Sequence, residues 1–182
     1  MKELPGISLT EFPFKNIFKI GDLVYFDGPL LSVFSNDKGE IYLFDWSDND
    51  DKYNRWLVFR ISLTQLIQYL NKNISHYQLI TTYFTDFIVS VDIDNDLNYY
   101  NVLLLNVADI PNDYLPDRDV THIDEESPHL DKINAYVNQL ELKAAADKQR
   151  QWQKKFKISM TYEELLMNSN KISKREQILA VY

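Results

Sequence analysis

The stretch from Lys19 to Ile61 constrains the fold most strongly, because it predicts four short β-strands joined by three turns. The first turn centres on Asp27-Gly28, a dipeptide that suits the positive φ angles of a two-residue hairpin loop. The second, residues 36–39, ends on a glycine that suits the left-handed position of a longer hairpin loop. The third, residues 47–51, is too polar to be buried. The runs between the turns are rich in β-branched and aromatic residues, which favour strands.

Both faces of these predicted strands are largely apolar. Along residues 41–46, one face carries Ile41, Leu43 and Asp45, and the other carries Tyr42, Phe44 and Trp46. An antiparallel sheet with one solvated side shows a polar face. We therefore expect other parts of the chain to cover this sheet on both sides.

Two capping boxes predict a pair of helices after the fourth strand. Ser62 with Gln65 and Ser75 with Gln78 have the spacing of this motif, and the second helix is expected to end near Tyr83. A further hairpin is predicted from strands at 86–91 and 100–105. The sequence thus predicts an α+β fold: an antiparallel β-sheet or small barrel of about six strands, with inserted helices and a C-terminal helical extension.

The two ends of the chain carry weaker signals. Residues 1–17 are expected to be an irregular lead-in held on the sheet by Phe12, Phe14 and Phe18. Ser127-Pro128 predicts the start of a long helix that runs to about Lys157. Two later capping boxes, Thr161 with Glu164 and Ser173 with Glu176, predict a short helical hairpin at the C-terminus. We therefore divide the chain into a β-rich domain (1–108) with an inserted helical pair (62–83), an acidic connector (109–127) and a helical extension (128–182).

Composition excludes several classes of site. The chain has no cysteine and only four glycines, which excludes disulfides and thiolate metal sites and argues against glycine-rich nucleotide-binding loops. The N-terminus lacks the apolar run of a signal peptide, and no stretch reaches about 18 apolar residues. We expect a cytoplasmic protein without a membrane segment.

Charge is segregated along the chain. The net charge of −8 argues against nucleic-acid binding by the whole surface. Residues 109–131 carry eight acids and one base, whereas residues 143–157 carry six bases and one acid. Such segregation is compatible with recognition of another protein, although solvated faces are the commoner reason for runs of charge.

The sequence contains no ordered set of catalytic residues or metal ligands. His76, His122 and His129 lack ligand spacing, and Asp92–Asp96 begins like a calcium-binding loop but lacks its glycine and its glutamate, so we interpret it as a turn. We predict no catalytic residue, metal site or cofactor. The candidate partner-binding residues are aromatic or basic side chains in the long helix and two tryptophans of the sheet: Trp152, Phe156, Arg150, Lys154, Lys155, Trp46 and Trp56.

Three segments carry a resemblance. The runs GDLVYFDGPLLS (21–32), YLFDW (42–46) and YNRWLV (53–58) resemble an uncharacterised family of small bacterial domains, and the similarity extends over about residues 19–80. The resemblance implies a bacterial or phage cytoplasmic origin. It implies no activity and no catalytic residue.

These observations favour a non-enzymatic protein–protein interaction or regulatory subunit of a larger bacterial or phage assembly, with a larger protein as partner. Two alternatives stay open. The chain could be a small divalent-metal-dependent hydrolase that uses the carboxylates of Asp45–Asp51, or an acidic mimic of nucleic acid that inhibits a partner. The sequence gives neither the identity of the partner nor the oligomeric state.

Overall fold

The structure is a computed structural model that describes residues 1–82, 87–127 and 129–179, without the side chains of 157–166 and 168–179. The chain divides into two compact units, Met1–Asn138 and Gln139–Tyr182. The predicted connector (109–127) lies within the first unit.

The first unit is built on one antiparallel sheet of seven strands. The strands are β1 (Ile7–Ser8), β2 (Phe18–Tyr25), β3 (Pro29–Ser35), β4 (Ile41–Asn49), β5 (Asn54–Ile61), β6 (Ile88–Ile93) and β7 (Tyr99–Leu105). Their spatial order is β1-β7-β6-β5-β4-β3-β2, so β1 and β2 form the two edges and the sheet is open. The predicted α+β class is confirmed. The sheet of the prediction is present and its alternative, a small barrel, was wrong. The sheet has seven strands and not about six, because two residues of the lead-in add β1 beside β7.

All three predicted turns between β2 and β5 are present, but the third lies later in the chain than predicted. Asp27 (φ 51°), Gly28 (φ 151°) and Gly39 (φ 77°) all have positive φ angles, as the first two turns require. The third turn was placed too early. Strand β4 continues through Asn49, and the reversal is closed by a hydrogen bond of 3.0 Å from the backbone N–H of Asp50 to the carbonyl of Tyr53.

The aromatic face of the sheet is covered by the lead-in. Phe12 and Phe14 pack beside Tyr42 and Phe44, with the Phe14 and Tyr42 ring centres 4.6 Å apart. The predicted role of the first two phenylalanines is therefore confirmed. Phe18 instead lies in β2 and is 47% exposed.

The opposite face, which carries Leu43 and Asp45, is contacted by helical segments. Helices α1 (Leu63–Leu70) and α2 (His76–Thr81) both begin with the predicted capping boxes, each with its two reciprocal hydrogen bonds. The imidazole of His76 contacts Asp45 from α2. Both sheet faces are thus covered, as the alternation of the strands predicts.

After β7 and two short turns, residues 124–127 lie against the edge strand β2. The backbone N–H of Asp124 donates to the carbonyl of Leu23 over 2.7 Å, and the Ser127 hydroxyl donates to the carbonyl of Asp22 over 3.2 Å. The Asp22 carboxylate is buried, and its Oδ2 lies 2.9 Å from Nδ1 of His129. This segment therefore covers part of an otherwise open sheet edge.

Helix α3 spans Leu130–Leu179 without a break. Its predicted end near Lys157 and the predicted C-terminal hairpin were wrong. No glycine or proline follows residue 128, so nothing stops the helix, and serine and threonine are tolerated inside one. Pro128, the predicted helix end at Tyr83, the predicted strand start at Asp86 and the last three residues lie outside the described residues.

Within the described ranges, no helix carries an apolar run long enough to cross a lipid bilayer.

Candidate functional site

The basic and aromatic residues predicted in the long helix are exposed in the second unit. Trp152 is 64% exposed and Phe156 is 51% exposed. Their rings stack with centres 5.3 Å apart and planes 11° apart. Arg150 and Lys154 line the same surface as the two rings, and Lys155 is exposed beside them. We call Arg150, Trp152, Lys154, Lys155 and Phe156 the helix patch.

The two tryptophans predicted in the sheet are placed differently. Trp56 packs against the core cluster of the aromatic face, with its ring centre 6.4 Å from that of Phe44. Trp46 is half-buried, and its indole Nε1 donates to Oδ1 of Asn54 over 3.2 Å. Both rings are therefore fixed by contacts within the sheet.

The carboxylates of Asp45, Asp48 and Asp50 have separate partners. Asp48 accepts hydrogen bonds from the Tyr114 hydroxyl and from the backbone N–H of Lys2, and the Tyr114 bond is the main reason that the pKa of Asp48 lies below its usual range. Asp50 caps its own turn by accepting from the backbone N–H groups of residues 52 and 53. In the part of the chain that the structure describes, no three His, Asp or Glu side chains come close enough to hold a metal ion.

Asp45 instead meets His76 at the floor of a cavity. Oδ2 of Asp45 and Nε2 of His76 are 3.1 Å apart, and both side chains are more than 90% buried. The two atoms are in contact but are not aligned as a hydrogen bond, and neither nitrogen of His76 has another hydrogen-bond partner among the described residues. A buried polar group without a partner is uncommon in folded proteins.

His122 reaches this cavity because its segment is bound to the helical pair. The carbonyl of Val120 accepts from the backbone N–H of His76 over 3.1 Å, and the carbonyl of His122 accepts from the Tyr69 hydroxyl over 2.7 Å. The ring centres of His76 and His122 are 5.9 Å apart. Burial raises the pKa of the Tyr69 phenol far above its usual range, and the negative charge of Asp45 adds to the effect. Tyr69 therefore acts here as a hydrogen-bond donor.

The cavity has a volume of about 250 Å³. It is lined by residues of the β2–β4 strands, of α2 and of the segment after β7: Val24, Leu30, Leu31, Asp45, Trp46, Ser47, His76, Asp113, Tyr114, Leu115, Pro116 and His122. An imidazole and a carboxylate in contact could accept or donate a proton, or could bind a polar ligand.

The sequence interpretation missed this cluster, since its members are separated by 31 and 46 positions along the chain. One local signal was present. Asp45 follows Ile41 and Leu43 on the same face of its strand, and a carboxylate on an apolar face needs a partner. His76 supplies it from the first turn of α2.

No family model matches the sequence, and no curated protein and no solved structure is significantly similar to it. The resemblance to a family of small bacterial domains stays a prediction.

Proposed function

We propose that this chain is a non-enzymatic interaction protein, a regulatory subunit of a larger bacterial or phage assembly, and that its helix patch binds an acidic surface of another protein. The observation that carries the proposal is the pair of stacked, exposed rings of Trp152 and Phe156. Aromatic side chains dominate the binding energy of many interfaces, and an amphipathic helix that lies in a groove is a recurrent way to present them.

The apolar part of the patch is large enough to contribute binding energy. Covering the exposed parts of Trp152 and Phe156 would remove roughly 250 Å² of mostly apolar surface from water, which is worth about 6 kcal/mol before the cost of association. The two residues are four positions apart, so they lie on one side of the helix. A single groove on a partner can receive both rings.

The charges around the rings favour an acidic partner. Lys148 and Lys155 are four residues before and three residues after Trp152, so both neighbour the ring on the helix surface. Nη1 of Arg150 lies 3.9 Å from Oδ1 of Asp147. Both side chains are exposed, so this ion pair contributes little to the stability of the helix. The net charge of −8 for the whole chain argues against a nucleic acid as the acidic partner.

Trp46 and Trp56 have no part in the proposal, because both are held within the first unit (Met1–Asn138), which we call the sheet unit. The aromatic sheet face packs against Phe12 and Phe14, so it does not offer a free stacking surface.

The proposal is tested by affinity capture from the native host with three versions of the full chain as bait. The test variant carries Trp152→Ala and Phe156→Ala. The matched control carries Leu142→Ala, which removes another exposed apolar side chain of the same helix, one that is 73% exposed. We expect the wild type and the control to retain one stoichiometric acidic protein, and the test variant to lose it.

Two outcomes would contradict the proposal. Equal recovery of the partner by all three baits would show that the helix patch does not bind it. A basic partner that stays on the test variant and is released by salt at about 0.5 M would favour the acidic-mimic alternative, because salt at that concentration screens surface charges.

A further inference from the structure

We propose that the acidic surface bound by the helix patch belongs to a second copy of this chain, and that it is the end of the sheet unit where Tyr53 and Tyr100 lie together. The inference rests on the proposed function, since it names the partner of the helix patch. Two features of the molecule argue for it: the opposite charges of its two units, and an exposed aromatic surface among acids in the sheet unit.

The two units carry opposite net charges. The sheet unit has 22 acids and 10 bases, a net charge of −12. The second unit (Gln139–Tyr182), which we call the helix unit, has 9 bases and 5 acids, a net charge of +4. The sheet units of two copies therefore repel each other, as do their helix units. The helix unit of one copy attracts the sheet unit of another, and this attraction steers and orients their encounter.

The sheet unit exposes aromatic surface at one end. Tyr53, in the turn between β4 and β5, and Tyr100, near the start of β7, have ring centres 5.0 Å apart. Tyr100 is 40% exposed, and Leu97, in the turn between β6 and β7, is 77% exposed. We call residues 50–53 and 94–100 the tyrosine end. Exposed aromatic side chains supply much of the binding energy of protein interfaces.

Acids surround these rings. The tyrosine end contains four aspartates and one lysine. Asp50 accepts a hydrogen bond from the backbone N–H of Lys52 over 2.9 Å, and Asp94 accepts one from the side-chain amide of Asn98 over 3.1 Å. These bonds are the main reason that the pKa of each carboxyl lies below its usual range. Both carboxyls are therefore charged at neutral pH.

The helix patch offers the matching groups. Its three basic side chains suit both the carboxylates and the faces of the tyrosine rings. The stacked rings of Trp152 and Phe156 would cover Leu97 and Tyr100. One copy supplies the helix patch and the next supplies the tyrosine end, so repeated contacts join copies into a ring or an open chain. The contact is small, and we expect a Kd of about 10–100 µM.

The test measures the mass of the purified full chain by sedimentation velocity, from about 1 µM to about 300 µM and in about 50 mM salt. We expect the wild type to be a monomer at the low end of this range and to associate as its concentration rises. The helix variant, which carries Trp152→Ala and Phe156→Ala, should stay monomeric throughout.

A second variant and its control test the other surface. The end variant carries Asp51→Lys and Asp96→Lys, two exposed positions of the tyrosine end, and it should also stay monomeric. The control carries Asp37→Lys and Asp117→Lys, which change the net charge equally at exposed positions of other turns. The control should associate like the wild type.

A mixture of the two variants tests the arrangement of the contact. The helix variant keeps an intact tyrosine end, and the end variant keeps an intact helix patch. An equimolar mixture should therefore form a dimer, although neither variant associates alone. The complex should stop at two copies, because each copy has lost one of its two surfaces.

A wild type that stays monomeric up to about 300 µM would overturn the inference. So would association of either variant alone at the affinity of the wild type, or a mixture that stays monomeric. The proposed function would survive each of these results, because affinity capture from the native host could still retain a different acidic protein through Trp152 and Phe156. The two proposals therefore fail in different experiments.

Discussion

Replacement of Asp92 by Asn should destabilise the sheet unit more than any change at its surface. The Asp92 side chain is fully buried in β6 and faces Arg55 across the strand pair. Its Oδ1 lies 2.7 Å from Nε of Arg55 and its Oδ2 lies 2.9 Å from Nη2, while the amide of Asn101 donates to Oδ2 over 2.8 Å. An amide at position 92 would leave the buried guanidinium without a counter-charge and place an N–H₂ group against other donors.

Removal of one partner from a buried ion pair costs about 3–5 kcal/mol. With a urea dependence of about 2 kcal/mol per molar, the midpoint of unfolding should fall by about 2 M. Urea unfolding followed by tryptophan fluorescence measures the change. Asp96→Asn is the matched control, because it makes the same substitution at an exposed position in the adjoining turn, and its effect should stay within about 0.5 kcal/mol.

Simultaneous replacement of both charges tests the reason for the effect. Arg55→Met together with Asp92→Leu leaves no unpaired charge, so this double variant should be more stable than the variant with Asp92→Asn alone. A loss below about 1 kcal/mol for Asp92→Asn would refute the reasoning. A double variant that loses as much as the sum of the two single variants would refute it as well.

Two further predictions concern the sheet unit. The pKa of Asp48 is lowered chiefly by the hydrogen bond from Tyr114, so its contribution to stability is present above about pH 4 and is lost as the pH falls through the lowered value. Asp48→Asn should therefore be less stable than the wild type at pH 7 in urea unfolding, and the difference should shrink as the pH falls below about 4; a pH-independent difference would contradict this assignment. Gly21→Ala would place a Cβ 2.9 Å from Cβ of His129 and 3.2 Å from Cγ1 of Ile133, so it should cost about 1–3 kcal/mol in the same measurement, and no loss would contradict the close packing.

The parts of the fold that depend on neighbouring residues could be predicted from the sequence. The strands of the meander, its glycine turns and both capping boxes follow from local patterns, and each is present. The alternation of two apolar faces also predicted that both would be covered. These features depend on the geometry of a few consecutive residues.

Features that depend on distant parts of the chain could not be predicted. Strand β1 has only two residues, and it exists because β7 offers a free edge. The capping boxes at Thr161 and Ser173 were misleading. A capping box marks the start of a helix only where the residues before it are not helical, and here they belong to α3. The contact of Asp45 with His76 depends on how α2 packs on the sheet.

The most direct test of the central claim is site-specific photo-crosslinking in the native host. Benzoylphenylalanine would replace Phe156 in the helix patch or, as a control, Leu142, which is also exposed in the same helix. The account predicts one stoichiometric adduct with an acidic protein from position 156 and none from position 142. An adduct from position 142 alone, equal adducts from both positions, or none from either would contradict the claim that the helix patch binds the partner.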